Sequence, residues 1–297
     1  MVIIMKKLGL ATALLLAMTG AQAYQFEVQG QAEHIDNTAN DKDFTGAVQG
    51  TYYFKDVDAS KGPLAEAAFL NHASNVSAAY SYGENGQEEA DRTRTANHTF
   101  GAKGEAYIPT KVVPAYASAS YSHTITDNKA GKADDNGDRY ALEVGALLKP
   151  NFLVAVGYTS VADQTSYDAF NIVSNGVAKA ALESATIAED QDAITARTKY
   201  VGPIDGTNMS IGFESGLVYG ESTAYNLGTT LYLNPKLSVG VNYLESSYEG
   251  SPDKALGANV NYFITPAVAV GASYVNANAE GNKYDTQTVG LNAKFRF

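Results

Sequence analysis

The chain has 297 residues, with 20 tyrosines and 27 glycines but no cysteine and no tryptophan, and its formal net charge is −11. The lack of cysteine excludes disulfides and cysteine-based metal or redox sites. The acidic charge disfavours a nucleic-acid partner, because phosphate backbones repel it. Abundant tyrosine and glycine fit a membrane barrel with a polar interior, and they also fit a secreted β-sandwich.

The first 23 residues carry the three parts of a secretory signal peptide. Lys6 and Lys7 form the positive region, residues 8–18 the apolar region, and Ala21-Gln22-Ala23 the cleavage pattern. The apolar run is too short for a helix that spans a bilayer. We therefore predict a signal peptide over residues 1–23, with Met5 as the true start, followed by a barrel over residues 24–297.

From Tyr24 onward the sequence repeats runs of about ten residues of alternating character, each followed by a turn, as membrane-barrel strands do. The last run is the clearest, because apolar and polar side chains alternate without a break from residue 289 to residue 297. The predicted strands are 24–34, 44–54, 74–83, 97–108, 114–125, 139–149, 151–162, 191–201, 207–219, 223–233, 236–248, 254–264, 266–277 and 286–297.

Alternation alone also fits a soluble β-sandwich. Three features favour a barrel: one strand face is small and polar, tyrosines fall near strand ends, and short proline-containing turns alternate with longer connections. We predict an all-β fold, a closed antiparallel transmembrane β-barrel of 14 strands with both termini on the periplasmic side. Closure pairs every backbone group within lipid.

The two strand faces predict two kinds of functional residue. Polar side chains on the inner face are expected to line a pore: Glu27, Gln29, Lys103, Glu105, Glu143, Arg197, Lys199, Glu214, Lys294 and Arg296. The apolar face of the last strand resembles the C-terminal signal that the barrel-assembly machinery reads, and it predicts that role for Val289, Leu291, Phe295 and Phe297.

Two connections, 55–73 and 163–190, are longer and more apolar than the others. Residues 62–70 predict a short helix with a proline in its first turn. Either connection can be a surface flap, or it can fold inward and narrow the lumen. The candidates for such a constriction are Pro63, Leu64, Phe69, Leu70, Phe170 and Val177.

Four stretches resemble one known family. They are MKKLGL at residues 5–10, NFLVAVGYTSV at 151–161, YVGPIDGTNM at 200–209 and NYFITPAVAVG at 261–271. They are similar to the thirty-three-to-thirty-six-kilodalton outer-membrane porin of Acinetobacter, and the resemblance covers essentially the whole chain. It implies a monomeric channel of 14 strands for water and small solutes, and it assigns no binding-site residue.

These observations favour a porin, a passive channel for water and small hydrophilic solutes or ions, surrounded by outer-membrane lipid and lipopolysaccharide. One alternative is a structural or adhesive barrel whose loops bind host proteins or lipopolysaccharide. A barrel hydrolase is the other, but the sequence shows no clustered nucleophile or acid pair. The four histidines lack zinc-site spacing and no cofactor motif is present, so we expect no metal, no cofactor and no enzyme activity.

Overall fold

The computed structural model describes residues 23–37, 40–85, 95–128, 134–164, 166–176, 180, 186–187, 189–247, 253–278 and 285–297. The predicted signal peptide, apart from Ala23, lies outside these residues, and so does Val177. Among the described residues, no helix is both long and apolar enough to cross a membrane.

The described residues form 14 antiparallel strands in one closed sheet. Each strand pairs with its neighbours in sequence, and β1 pairs with β14. The prediction of a closed barrel with 14 strands is therefore confirmed. The strands are β1 Ala23–Asn37, β2 Asn40–Asp58, β3 Asn75–Asn85, β4 Thr95–Ile108, β5 Ala115–Asn128, β6 Asp135–Lys149, β7 Phe152–Asp163, β8 Asp192–Pro203, β9 Ser210–Tyr219, β10 Thr223–Asn234, β11 Leu237–Ser246, β12 Lys254–Thr265, β13 Val268–Asn278 and β14 Asp285–Arg296.

The strands turn their large apolar side chains outward, because successive side chains of a strand point to opposite faces. Leu291 is 66% exposed and Val241 is 55% exposed, whereas Gly290 and Arg296 on the other face of β14 are buried. This outer band of exposed apolar side chains is consistent with contact with lipid. The interior holds polar side chains and two segments of the chain itself.

The strand pairing that closes the ring joins the two chain termini. Glu27 of β1 lies opposite Arg296 of β14 in the register. The carbonyl oxygen of Phe297 accepts hydrogen bonds from the amides of Gln25 and Phe26, each at 2.9 Å. The start of β1 and the end of β14 therefore lie at one end of the barrel, which we call the terminal end.

Tyr24 departs from the predicted alternation. The sequence pattern puts it on the apolar face with Phe26, but its side chain is only 4% exposed and stacks edge-on with Tyr53, at 5.6 Å between ring centroids. The cause is an irregularity in the β1–β2 register between Tyr24 and Phe26. Such a bulge turns one side chain to the opposite face.

Two connections enter the barrel. The first inward connection, residues 59–74, joins β2 to β3 at the terminal end and contains a 3-10 turn, Leu64–Glu66, followed by helix α1, Ala67–Leu70. The second inward connection, residues 164–191, joins β7 to β8 at the opposite end and contains helix α2, Ala169–Asn175. The Asp168 side chain accepts hydrogen bonds from the amides of Phe170 and Asn171 and caps α2.

Candidate functional site

The first inward connection is hydrogen-bonded to the wall on several sides. The amide of Leu64 donates to the carbonyl of Pro235 at 2.8 Å, and the Leu64 carbonyl accepts from Nη1 of Arg296 at 2.8 Å. On another side, Nε2 of His72 lies 2.6 Å from the carbonyl of Pro150. The connection is therefore held by β14, by the β10–β11 turn and by the β6–β7 turn.

Apolar packing fixes the same connection to three sections of the wall. Leu64 packs against Phe263 and Ala269, and Phe69 packs against a cluster that includes Tyr116 and Leu153. A third cluster holds Ala67 and Ala73 of the connection together with Tyr24, Tyr53 and Val57. Burial of this apolar surface stabilises the inward position relative to a flap in water.

The second inward connection also contacts opposite sides of the wall. Phe170, Ile172 and Val173 of α2 pack against Ala47 and Ala79 on β2 and β3. The carbonyl of Val173 accepts from Nε2 of Gln29 at 3.1 Å. Further along, the hydroxyls of Thr186 and Ser246 lie 2.8 Å apart, and Ile187 packs against residues of β7 to β10.

Ten charged side chains, here called the charge belt, line the inner wall around the first inward connection. Each member has an opposite charge within 3.1 Å. Five are carboxylates and five are cations, so the belt sums to zero. The members are Glu27, Glu66, Glu105, Glu143, Glu214, Lys103, Arg197, Lys199, Lys294 and Arg296.

Glu66 joins the first inward connection to this belt. One carboxylate oxygen lies 2.9 Å from Nζ of Lys199, and the other accepts from the hydroxyl of Tyr232 at 2.6 Å. Lys199 also pairs with Glu214 at 2.7 Å. The connection is thus part of the charge network of the wall.

Arg197 forms the most complete contact of the belt. It donates from Nε and Nη2 to the carboxylate of Glu143 at 2.8–3.0 Å, and from Nη2 to the Tyr116 hydroxyl at 2.9 Å. Tyr116 in turn donates to Glu105 at 2.6 Å. This bidentate geometry holds both charges rigidly on the wall.

The sequence predicts nine of the ten belt residues as part of its pore-lining set, and the structure brings the belt residues into four groups of ion pairs. Gln29, the tenth predicted residue, lies opposite Lys294 in the β1–β14 register, and its side chain contacts α2. Sequence reasoning missed Glu66, because a glutamate in a connection carries no face signal. It also did not single out Tyr116 and Tyr232, which are buried and hydrogen-bonded to Glu105 and Glu66 of the belt.

The predicted constriction and assembly residues are found as follows. Pro63, Leu64, Phe69 and Phe170 are buried inside the barrel, and Leu70 is partly buried. Val289, Leu291, Phe295 and Phe297 lie on the outer face, 37–66% exposed. These positions fit the expected roles without testing them.

Between the two inward connections lies a chamber of about 340 Å³. Ala65 and Glu66 of the first connection and Val173 and Ser174 of the second line it on one side. Gln29 and Gln31 of β1 also face it. Asparagines form the facing wall: Asn226, Asn242, Asn259, Asn261 and Asn292, here called the amide wall.

Comparison with solved structures shows similarity to other outer-membrane barrels. The crystal structure of the Acinetobacter baumannii outer membrane protein Omp33 is 53% identical, matches 93% of this chain and 99% of that one, and superposes with a TM-score of 0.69. The Pseudomonas putida toluene transporter TodX has a TM-score of 0.50 at 10% identity, over 95% of this chain and 92% of that one. At such low identity the likeness shows the fold alone.

A search of curated proteins gave no match. The whole chain, residues 1–297, matches the protein family described as "Putative general bacterial porin". Together with the similarity to Omp33, this match places the barrel in the outer membrane. The chain therefore belongs to the general bacterial porin family and is an outer-membrane channel protein.

Proposed function

We propose that the protein is a passive channel for water and small hydrophilic solutes or ions, and that its two inward connections narrow the path. One observation carries the proposal: the first inward connection is fixed to three sections of the wall and crosses the terminal end of the barrel. Fourteen strands enclose more space than side chains alone fill, since barrels of about eight strands are already filled by side chains. The connections occupy part of that surplus.

The charge belt supports a path that is small and wet. Glu214 is 58% exposed although it points into the barrel, so the interior beside it holds water-accessible space. Because the belt sums to zero, it gives no strong preference for cations or anions. A wide open pore would instead leave the belt residues without the contacts they make to the first inward connection.

Single-channel recording on two deletion variants tests this proposal. Removing residues 60–70 takes away the contacts of Leu64, Glu66 and Phe69 with the wall, and we expect a larger conductance. Removing residues 168–175 takes away α2, and we expect a smaller increase, since α2 packs mainly on β2 and β3. Deletion of residues 279–283, in the β13–β14 connection, is the matched control.

Heat-modifiable gel migration shows whether each variant still forms a barrel. A wild-type conductance already equal to that of a wide porin, unchanged by either deletion in an intact barrel, would contradict the narrowing. Absence of any channel current in wild type and in both deletion variants would contradict the channel function itself and would favour the structural barrel.

A further inference from the structure

The amide wall is built by a repeated pairing of asparagine with glycine across neighbouring strands. A Cβ atom at Gly240 would lie 2.9 Å from Asn259, and a Cβ at Gly216 would lie 2.7 Å from Asn226. Such distances are too short for a real contact, so each amide lies over a position that only glycine leaves empty. The same pairing joins Gly257 to Asn242, and Gly271 to Asn261 and Asn292.

This pairing gives the chamber a smooth uncharged surface. With glycine beneath them the amides lie flat on the wall, so they add hydrogen-bonding groups without filling the space. Each amide offers two donors and one acceptor. Asn242, Asn259 and Asn261 line the chamber, so their amides are hydrogen-bonding groups that an entering solute meets.

The charges around the chamber do not alter this character. Glu66, Glu214 and Lys294 also line the chamber, and each is paired within the charge belt at 2.7–3.0 Å. An ion that enters the chamber therefore meets only neutral amides and charges that are already paired. Entry of an ion is unfavourable, because the ion loses part of its hydration and gains no counter-charge. A solute rich in hydroxyl groups loses less, because each hydroxyl is both a donor and an acceptor.

We propose that the chamber selects small uncharged polyhydroxylated solutes, of monosaccharide size, over charged solutes of equal size. The inference rests on the proposed channel function and adds a substrate class to it. The volume of about 340 Å³ lies at the lower end of ligand-pocket volumes, which matches a monosaccharide better than a longer oligomer. The amides of Asn242 on β11 and of Asn259 and Asn261 on β12 supply the recognition.

Swelling of proteoliposomes with three probes of similar size tests the selectivity. The probes are glucose, gluconate as the anion and glucosamine as the cation. In wild-type protein we expect glucose to enter about fivefold faster than either charged probe, the factor that one hydrogen bond of ordinary net strength provides. Equal entry rates for the three probes would overturn the proposal.

Two variants test the amide wall directly. The double replacement Asn242→Leu with Asn259→Leu keeps the number and branching of the side-chain heavy atoms but removes the amides, and we expect it to slow glucose to the rate of the charged probes. Gly257→Ala pushes the Asn242 amide off the wall without removing it, and the same shift in selectivity is expected. The control is Asn208→Leu, in the exposed β8–β9 connection, which leaves the three rates unchanged.

The failure of this proposal is distinct from that of the channel function. If the wild type conducts ions but the wall variants slow all three probes equally, the amide wall is only a structural lining and the selectivity proposal is wrong. If neither ion current nor swelling occurs in the wild type or in the variant that lacks residues 60–70, the proposed channel function is wrong. The selectivity proposal is then wrong as well, because it depends on that function.

Discussion

Replacement of Arg296 by methionine removes the cation that ties β14, β1 and the first inward connection together. Arg296 is 2% exposed, its Nε donates to Glu27 at 2.7 Å, and its Nη1 donates to the Leu64 carbonyl at 2.8 Å. The guanidinium also lies 4.5 Å from the ring centroid of Tyr24 and 4.7 Å from that of Phe263. Methionine fills a similar volume and makes none of these polar contacts.

The expected loss of stability follows from what remains unpaired. Removing one partner of a buried ion pair costs about 3–5 kcal/mol. Glu27 keeps its contact with Lys294 at 3.0 Å, so the loss should lie near the lower end of that range. The Leu64 carbonyl also loses a charged donor, and an unsatisfied buried acceptor costs about 1–3 kcal/mol unless water reaches it. We expect a total loss of about 3–6 kcal/mol, the lower figure applying where water reaches the Leu64 carbonyl.

Urea unfolding of the reconstituted protein, followed by heat-modifiable migration, measures this change. Arg296→Lys keeps the charge but cannot reach both acceptors, so an intermediate loss is expected. The matched control is Lys254→Met, whose pair with Glu245 spans 4.0 Å at the surface, and little change is expected there. If Arg296→Met unfolds at the same urea concentration as the wild type, the contacts of Arg296 do not stabilise the barrel.

Two further predictions concern the outer face and the C-terminus. Val241→Arg, midway along β11, should destabilise the barrel by about 2–4 kcal/mol, because it places a charge on the outer face near the middle of the membrane. Leu233→Arg, beside the β10–β11 turn, should cost only about 0–1 kcal/mol, because it lies near the membrane surface. Equal unfolding free energies of the two variants would mean that Val241 does not face the middle of the lipid layer. Phe297→Ala should lower the amount of protein assembled in the outer membrane, and deletion of Phe297 should lower it further, because deletion also removes the carbonyl that accepts from Gln25 and Phe26. Unchanged assembly of both variants, measured in outer-membrane fractions, would exclude Phe297 from the assembly signal.

Strand positions were predictable because they depend on local sequence. A strand needs alternating side chains and a turn at each end, and both are encoded within about a dozen residues. All 14 predicted strands are present, although β2 continues to Asp58 rather than residue 54. The face predicted for Tyr24 was wrong, because the bulge beside it depends on how β1 pairs with β2. The sequence around Tyr24 gives no sign of that bulge.

The contacts inside the barrel were not predictable in the same way. Alternation tells which face a side chain occupies, but its height in the barrel depends on the stagger of the whole sheet. Glu66 and Tyr232 meet although 166 positions separate them, and nothing near either residue indicates the other. The pairing of Asn242 with Gly257 is likewise visible only once the β11–β12 register is known.

The seam between β1 and β14 has a consequence for how the protein can form. All other strands pair with a neighbour in sequence, but Glu27 and Arg296 are 269 positions apart. Bringing the ends of so long a chain together costs about 5 kcal/mol of loop entropy. Before that step both edge strands present unpaired backbone groups, which the hydrocarbon does not tolerate. A chain shortened by one whole strand at either end would bring two parallel strands together at the seam and lose the antiparallel register seen here. Lengthening a hairpin tip leaves every strand pairing intact, so variation in chain length should concentrate at the tips.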